Sequence, residues 1–136
     1  MELDRAREFI RTNHRAVLAT YRADGRAQLT PVTTSVDDAG YVVISTREPA
    51  VKTRNVRRDP RVTLCVVTDA FFGDWLYVDG AAEVLSLPDA MEPLVDYYRS
   101  VAGEHPDWAD YRAAMVRDQR VLLRITPTHA GPDFAG

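Results

Sequence analysis

The sequence predicts a mainly β domain with α insertions, arranged as a six-stranded, predominantly antiparallel barrel. Three features carry that expectation: β-prone runs that recur between turn signals, a proline-bracketed helical segment after the third run, and a helical insertion before the last. With 136 residues and 46% hydrophobic content, the chain is long enough for one core and short for two. A single domain over 1–136 is expected.

Leu3, Ala6, Phe9 and Ile10 recur at helical spacing and predict a short amphipathic helix over 2–12, ended at Asn13. Residues 16–21 read as a strand, and the Asp24-Gly25 turn folds a second strand, 26–36, back beside it. Asp37-Asp38-Ala39-Gly40 marks another tight turn, after which a third strand begins at Tyr41 and ends at Ser45 and Thr46. Glu48-Pro49 breaks that strand and opens a helix over 50–58, which Asp59-Pro60 stops. Strands follow at 61–68 and 75–87, the second with Gly80 where a bulge is useful. The loop between them carries Phe71-Phe72, too apolar for an ordinary exposed tip, so something is expected to cover those rings. Met91, Leu94, Val95, Tyr98 and Val101 predict a helix over 89–102 with Gly103 as its C-cap. His105-Pro106-Asp107 starts a shorter helix with Trp108, Tyr111, Ala114 and Met115 on one side. The last strand is expected over 120–126, followed by a loose tail around Gly131-Pro132-Asp133.

A formal net charge of -3 gives no reason to expect a nucleic-acid partner. The apolar runs 62–67 and 121–125 fall far short of the roughly 20 residues that a membrane-spanning helix needs. The charged first turn lacks the apolar core of a signal peptide, so the sequence reads as cytoplasmic. The lone Cys65, between Leu64 and Val66, reads as a buried strand position rather than a reactive thiol. His14, His105 and His129 are widely separated, and no metal site is expected.

The segment between Lys52 and Arg61 holds five basic residues against one acid, a local excess of +4 in an acidic chain. Near a helix start, where free backbone amides also favour anions, Lys52, Thr53, Asn55 and Arg58 read either as a phosphate cradle or as a solvated charged face. The hydroxyls of Ser45 and Thr46, at the end of the preceding strand, are candidates for the same anion. Gln28 and Thr30 add an amide and a hydroxyl on strand two, opposite Leu29 if no bulge intervenes. Trp75 and Tyr77 share a strand face, where packing is the default and an aromatic beside a flat heterocycle the alternative. No nucleophile, metal motif or paired carboxylate stands out, and no catalytic residue is assigned.

The ordered set Ala16-Val17-Leu18-Ala19-Thr20, Asp24-Gly25, Gln28-Leu29-Thr30-Pro31-Val32, Glu48-Pro49, Lys52-Thr53-Arg54-Asn55 and Arg58-Asp59-Pro60 resembles the pyridoxamine-phosphate-oxidase-like family, especially its actinobacterial branch that uses coenzyme F420. The resemblance spans His14 to Ile125 and includes Ala102-Gly103-Glu104-His105-Pro106-Asp107-Trp108. It implies an FMN-binding type of split β-barrel and a homodimer with a cofactor in each groove between subunits. By that analogy Lys52 and Thr53 bind the cofactor phosphate with Asn55 and Arg58 nearby. Ser45 and Thr46 line the phosphate or ribityl region, and Gln28, Thr30, Pro31 and Val32 run beside the ring system. Trp75 reaches the ring from the other subunit. Ala50 departs from the pattern, standing where relatives often carry a basic or hydroxyl residue. The implied chemistry is hydride transfer from the deazaflavin C5 to a small electron-poor acceptor, an activated alkene or quinone. FMN-dependent oxidoreduction is the alternative enzyme reading, and a non-catalytic flavin- or heme-binding protein is a third.

Overall fold

The computed structural model describes residues 1–133. The elements in chain order are α1 (Leu3–Thr12), β1 (Arg15–Tyr21), β2 (Ala27–Thr33), β3 (Ser35–Val36), β4 (Val42–Arg47), α2 (Val51–Arg58), β5 (Arg61–Val67), β6 (Trp75–Leu85), α3 (Met91–Ala102), α4 (Trp108–Arg117) and β7 (Arg120–Gly131). The turns between the first strands follow from their residues. Gly25 and Gly40 take φ of +86° and +92°, which a side chain would resist. The Asp37 carboxylate accepts the backbone N–H groups of Ala39 and Tyr41 at 3.0 and 2.9 Å, closing the second turn.

One sheet runs in the order β2-β1-β5-β6-β7-β4-β3, with every neighbouring pair antiparallel. It curls until β2 comes within 8 Å of β4 without a ladder between them, leaving a barrel split along one seam. The split-barrel expectation holds, with seven strands where the sequence indicated six. The extra strand arises at Thr34. Its backbone N–H donates to the His14 carbonyl at 2.9 Å while its buried hydroxyl donates to the Val43 carbonyl at 3.2 Å. The expected strand over 26–36 therefore changes partner there, pairing with β1 before Thr34 and with β4 after it. Hydrophobic alternation carries no information about which neighbour a strand pairs with.

The last strand is longer than expected, reaching Gly131 rather than stopping at 126. Pro127 reads as a terminator because it lacks a ladder N–H. It is tolerated here because the β6–β7 register shifts between Asp79 and Gly80, with Gly80 opposite Pro127. A Cβ on Gly80 would sit 2.5 Å from the Thr126 carbonyl oxygen, so the close approach requires glycine. The expected loose tail is tied down through Asp133. Gly131 lies against the Tyr77 ring, and the Asp133 carboxylate pairs with the N-terminal ammonium.

Two clusters make up the core. The barrel interior holds Leu18, Ile44, Leu64, Val66, Val78 and Leu123, closed at one end by Ala6 and Ile10 of α1. Burying each such aliphatic side chain contributes about 1.5–3 kcal/mol. The second cluster lies outside the barrel, where Leu94, Val95, Tyr111 and Met115 of α3 and α4 pack on Val43 and Leu122. No helix among the described residues is long and apolar enough to cross a membrane.

The opposite outer face carries no helix. Register lines up Thr33, Arg15, Val67 and Trp75 in one row across β2, β1, β5 and β6, and Pro31, Val17, Cys65 and Tyr77 in the next. Val17 is 38% exposed, and Leu29, one row further, 64%. Cys65, expected in the core, belongs to this outer face and is half-buried. Its partial burial pushes the thiol pKa up.

Candidate functional site

α2 crosses the seam and carries the basic segment. Helical geometry sends its side chains in different directions, and each meets a different fate. Arg57 pairs with Glu48 at 2.8 Å and Arg61, just beyond the helix, pairs with Asp59 at 2.8 Å. Arg58 donates to the Tyr21 carbonyl and to the Asn55 side-chain oxygen, both at 2.9 Å. The Asn55 amide in turn donates to the Thr20 hydroxyl at 3.1 Å. The Thr53 hydroxyl donates to the Arg47 carbonyl at 2.7 Å and lies 3.5 Å from the Thr46 hydroxyl. Thr46, Thr53 and Asn55 are buried. These residues fasten α2 to β1 and β4, with the Asn55 amide occupied at both ends.

Lys52 points elsewhere. It lines an open pocket of about 500 Å³ with Ser45, Pro31, Val32 and Thr33 on the strand side. Tyr97, Tyr98, Tyr111 and Met115 of α3 and α4 form the opposite wall, and Arg120 at the start of β7 adds a second cation. No carboxylate lines the pocket, and neither Lys52 nor Arg120 forms an ion pair among the described residues. Partial burial, reinforced by the nearby Arg120 charge, holds the Lys52 pKa below its ordinary value. Burial pushes the Tyr111 hydroxyl up to about 12, and Tyr97 upward as well, so both stay protonated at neutral pH. Those hydroxyls are committed: Tyr97 donates to the Thr33 carbonyl at 2.9 Å and Tyr111 to the Leu94 carbonyl at 2.8 Å.

The pocket thus gathers Pro31, Val32, Ser45 and Lys52 from the residues singled out in the sequence. Ser45 and Thr46 part ways because adjacent strand residues face opposite sides. Gln28 and Thr30 lie opposite Leu29 and Pro31, as uninterrupted alternation demands, and line a neighbouring stretch of β2 outside this pocket. The Gln28 side-chain oxygen accepts from Arg22 at 3.1 Å. Trp75 lies on β6, three strands from β2 in sheet order, in a separate groove with Met1, Arg5 and Phe9. Sequence reasoning missed Arg120, Tyr97 and the pocket role of Tyr98, Tyr111 and Met115. The Tyr97-Tyr98 doublet was the available signal, because two large side chains with polar tips at the edge of an apolar helix stripe suit a cavity wall.

A curled antiparallel sheet, open along a seam and flanked by a cation-lined pocket, defines a split-barrel domain. Residues 3–131 match the pyridoxamine 5'-phosphate oxidase family, and the chain belongs to it. A conserved hypothetical protein from Mycobacterium tuberculosis is similar in structure, with a TM-score of 0.77 at 26% identity over 96% of this chain and 82% of that one. An F420 reductase shares the fold with a TM-score of 0.68 at 21% identity, over 88% of this chain and 90% of that one. So does a heme storage protein from Vibrio cholerae, with a TM-score of 0.71 at 16% identity over 96% and 94%.

Proposed function

We propose that the protein is an oxidoreductase that binds coenzyme F420 between two copies of the chain. It passes a hydride between the deazaflavin C5 and a small electron-poor acceptor, an activated alkene or a quinone. The observation that carries this reading is the pairing of Lys52 and Arg120 in one pocket that no carboxylate lines. Like charges held together repel until an anion sits between them, and the lowered Lys52 pKa reflects burial first and that repulsion second. A cofactor phosphate supplies the missing charge. Ser45 offers it a hydroxyl, and exposed Arg54 on the same helix suits an anionic tail. Family membership supports a redox ring attached to that phosphate. The resemblance of residues 14–125 to the deazaflavin branch, and the fold shared with an F420 reductase, favour F420.

The bound deazaflavin or flavin supplies the hydride chemistry. The chain's own residues bind and orient it. Lys52, Arg120 and Ser45 hold the phosphate, while Thr46, Thr53, Asn55 and Arg58 keep Lys52 in position through α2. Pro31 and Val32, with Gln28 and Thr30 further along β2, run beside the ring, and Trp75 reaches the site of a second copy. Pro31 and Thr33 belong both to the pocket and to the bare outer face. A second copy seated on that face would therefore complete the pocket mouth.

A second reading has its own support. Two adjacent cations also match the two charges of a phosphomonoester, which favours FMN. The deciding experiment titrates purified protein side by side with F420, FMN and riboflavin. Tight F420 binding is expected, with Lys52→Ala weakening it by the about 1.5–3 kcal/mol of a lost charge-assisted contact. Riboflavin, lacking phosphate, should not sense the change. Selective FMN binding would install the second reading, and binding of neither phosphorylated cofactor would remove both and make heme the next titrant.

A further inference from the structure

β2 and β4 flank the seam without a ladder, yet one side chain joins them. Between β3 and β4 the pairs Val36–Val42 and Ser35–Val43 set an antiparallel register. Carried two residues further, that register places Thr33, the last residue of β2, opposite Ser45. The backbone groups of both residues face the seam. On β4 the Tyr41 and Val43 carbonyls accept from the β3 side, from the Asp37 N–H at 2.9 Å and the Thr34 hydroxyl at 3.2 Å, and Ser45 follows at the same two-residue interval. On β2 the Thr34 N–H turns to the His14 carbonyl beside β1, so Thr33 faces the other way. A direct rung between Thr33 and Ser45 is the natural continuation of the sheet, and it is missing, because β2 and β4 form no ladder.

The Tyr97 hydroxyl takes its place. Reaching over from α3, it donates to the Thr33 carbonyl at 2.9 Å. Burial raises its pKa, and a hydrogen bond from the Ser45 backbone opposes that rise. Only an N–H can favour the charged form of a phenol in this way, so the oxygen accepts from Ser45 while it donates to Thr33. One oxygen interposed between an N–H and a carbonyl holds them roughly 5 Å apart, against about 2.9 Å in a direct rung. The Tyr97 side chain borders the Lys52 pocket on one side and a cavity of about 280 Å³, lined by Val36, Pro93 and Ser100, on the other.

The two strands it joins carry different parts of the site. Pro31 and Val32 stand on β2, where the ring system runs, and Ser45 stands on β4, beside Lys52 and Arg120, where the phosphate sits. A ring and a phosphate connected by one chain gain from each other's binding only when their two seats are correctly spaced. That gain is an effective concentration, which neither fragment alone experiences.

We infer that Tyr97 is a positioning residue for the cofactor: its hydroxyl replaces the missing rung between Thr33 and Ser45 and sets the distance from the ring seat on β2 to the phosphate seat on β4. The inference rests on the redox reading above. With its hydroxyl committed to two backbone groups, Tyr97 acts through the strands and not on the reacting atoms.

The test is Tyr97→Phe, which keeps the ring in the gap and removes both hydrogen bonds. Wild type and variant are titrated with FMN, riboflavin and inorganic phosphate, and with F420 and its deazaflavin fragment lacking the phosphate. The intact cofactors should bind about tenfold more weakly to the variant. Each fragment occupies a single seat, so riboflavin, the deazaflavin fragment and phosphate should keep their affinities within about twofold. Equal losses for cofactors and fragments would overturn the proposal, since a merely loosened fold weakens every ligand alike. Unchanged cofactor affinity would overturn it too. Hydrogen exchange reads the rung without any cofactor. The Ser45 amide should exchange at least about tenfold faster in the variant, while Ile44 and Thr46, whose backbone groups turn to β7, keep their rates. An unmoved Ser45 amide would remove the rung itself. Failure of the wild type to bind FMN or F420 would instead defeat the redox reading, and Ser45 exchange would still decide whether Tyr97 ties the two strands.

Discussion

The two outer faces of the sheet start from the same strand chemistry and end differently. On β4 and β7, Val43 and Leu122 are sealed under α3 and α4. On β1, β2, β5 and β6, the equivalent outward positions Val17, Leu29 and Cys65 have no helix above them. A strand that alternates apolar residues on both faces is thus no sign of burial within one chain. The covered face is stabilised by the chain's own insertion, whereas the bare face keeps an apolar surface of the kind associated with subunit contacts.

Leu94→Ala removes a fully buried side chain from the helix-covered face and should cost about 2–5 kcal/mol in urea unfolding. Leu29→Ala, on the bare face, should change the unfolding free energy of a monomeric form by no more than about 0.5 kcal/mol. Comparable losses would mean that the two faces do not differ as described. Next, Asn55→Ala should destabilise the fold by about 1–3 kcal/mol, because it leaves the Thr20 hydroxyl and one Arg58 donor without a buried partner. That loss should appear in unfolding whether or not a cofactor is present. Val17→Asp places a charge in the middle of the bare face. On the proposed pairing of two copies through this face, light scattering should report half the wild-type mass with unchanged far-UV circular dichroism, and an unaltered mass would remove that pairing.

The smallest expected effect concerns pH. Above its pKa, Lys52 is neutral and no longer attracts an anion, and burial together with Arg120 places that pKa below 10.5. Affinity for a phosphorylated cofactor should therefore fall through the alkaline range earlier than an ordinary lysine would dictate. Lys52→Arg, charged throughout that range, should flatten the profile. An identical fall in the arginine variant would assign the pH dependence to another group.

Most of the sheet was legible because its signals are local. Asp-Gly turns, proline breaks and a glycine at the β6 bulge each act within a few residues. The misreadings arose where distant residues decide the outcome. Thr34 ends one strand and begins another because His14 and Val43 both engage it, and Pro127 stays within β7 because Gly80 lies opposite. The candidate site divides in the same way. Lys52 was visible as a cation in a basic segment, but the sequence could not show that Arg57 and Arg61 have carboxylate partners or that Arg58 is tied to β1. Arg120 lies 68 positions from Lys52 in sequence, and only folding brings their charges into one pocket.

α2 works as a mechanical part. Its Thr53 grips the end of β4 while Asn55 and Arg58 grip the end of β1, so the helix acts as a clasp across strands that share no ladder. Lys52 stands on the same helix, so a ligand held by Lys52 and by Ser45 of β4 would add one more tie to that clasp. Amide hydrogens at Tyr21 and Arg47, at the two strand ends, should then exchange more slowly together when the pocket is filled, so that occupancy is felt as closure of the whole barrel seam.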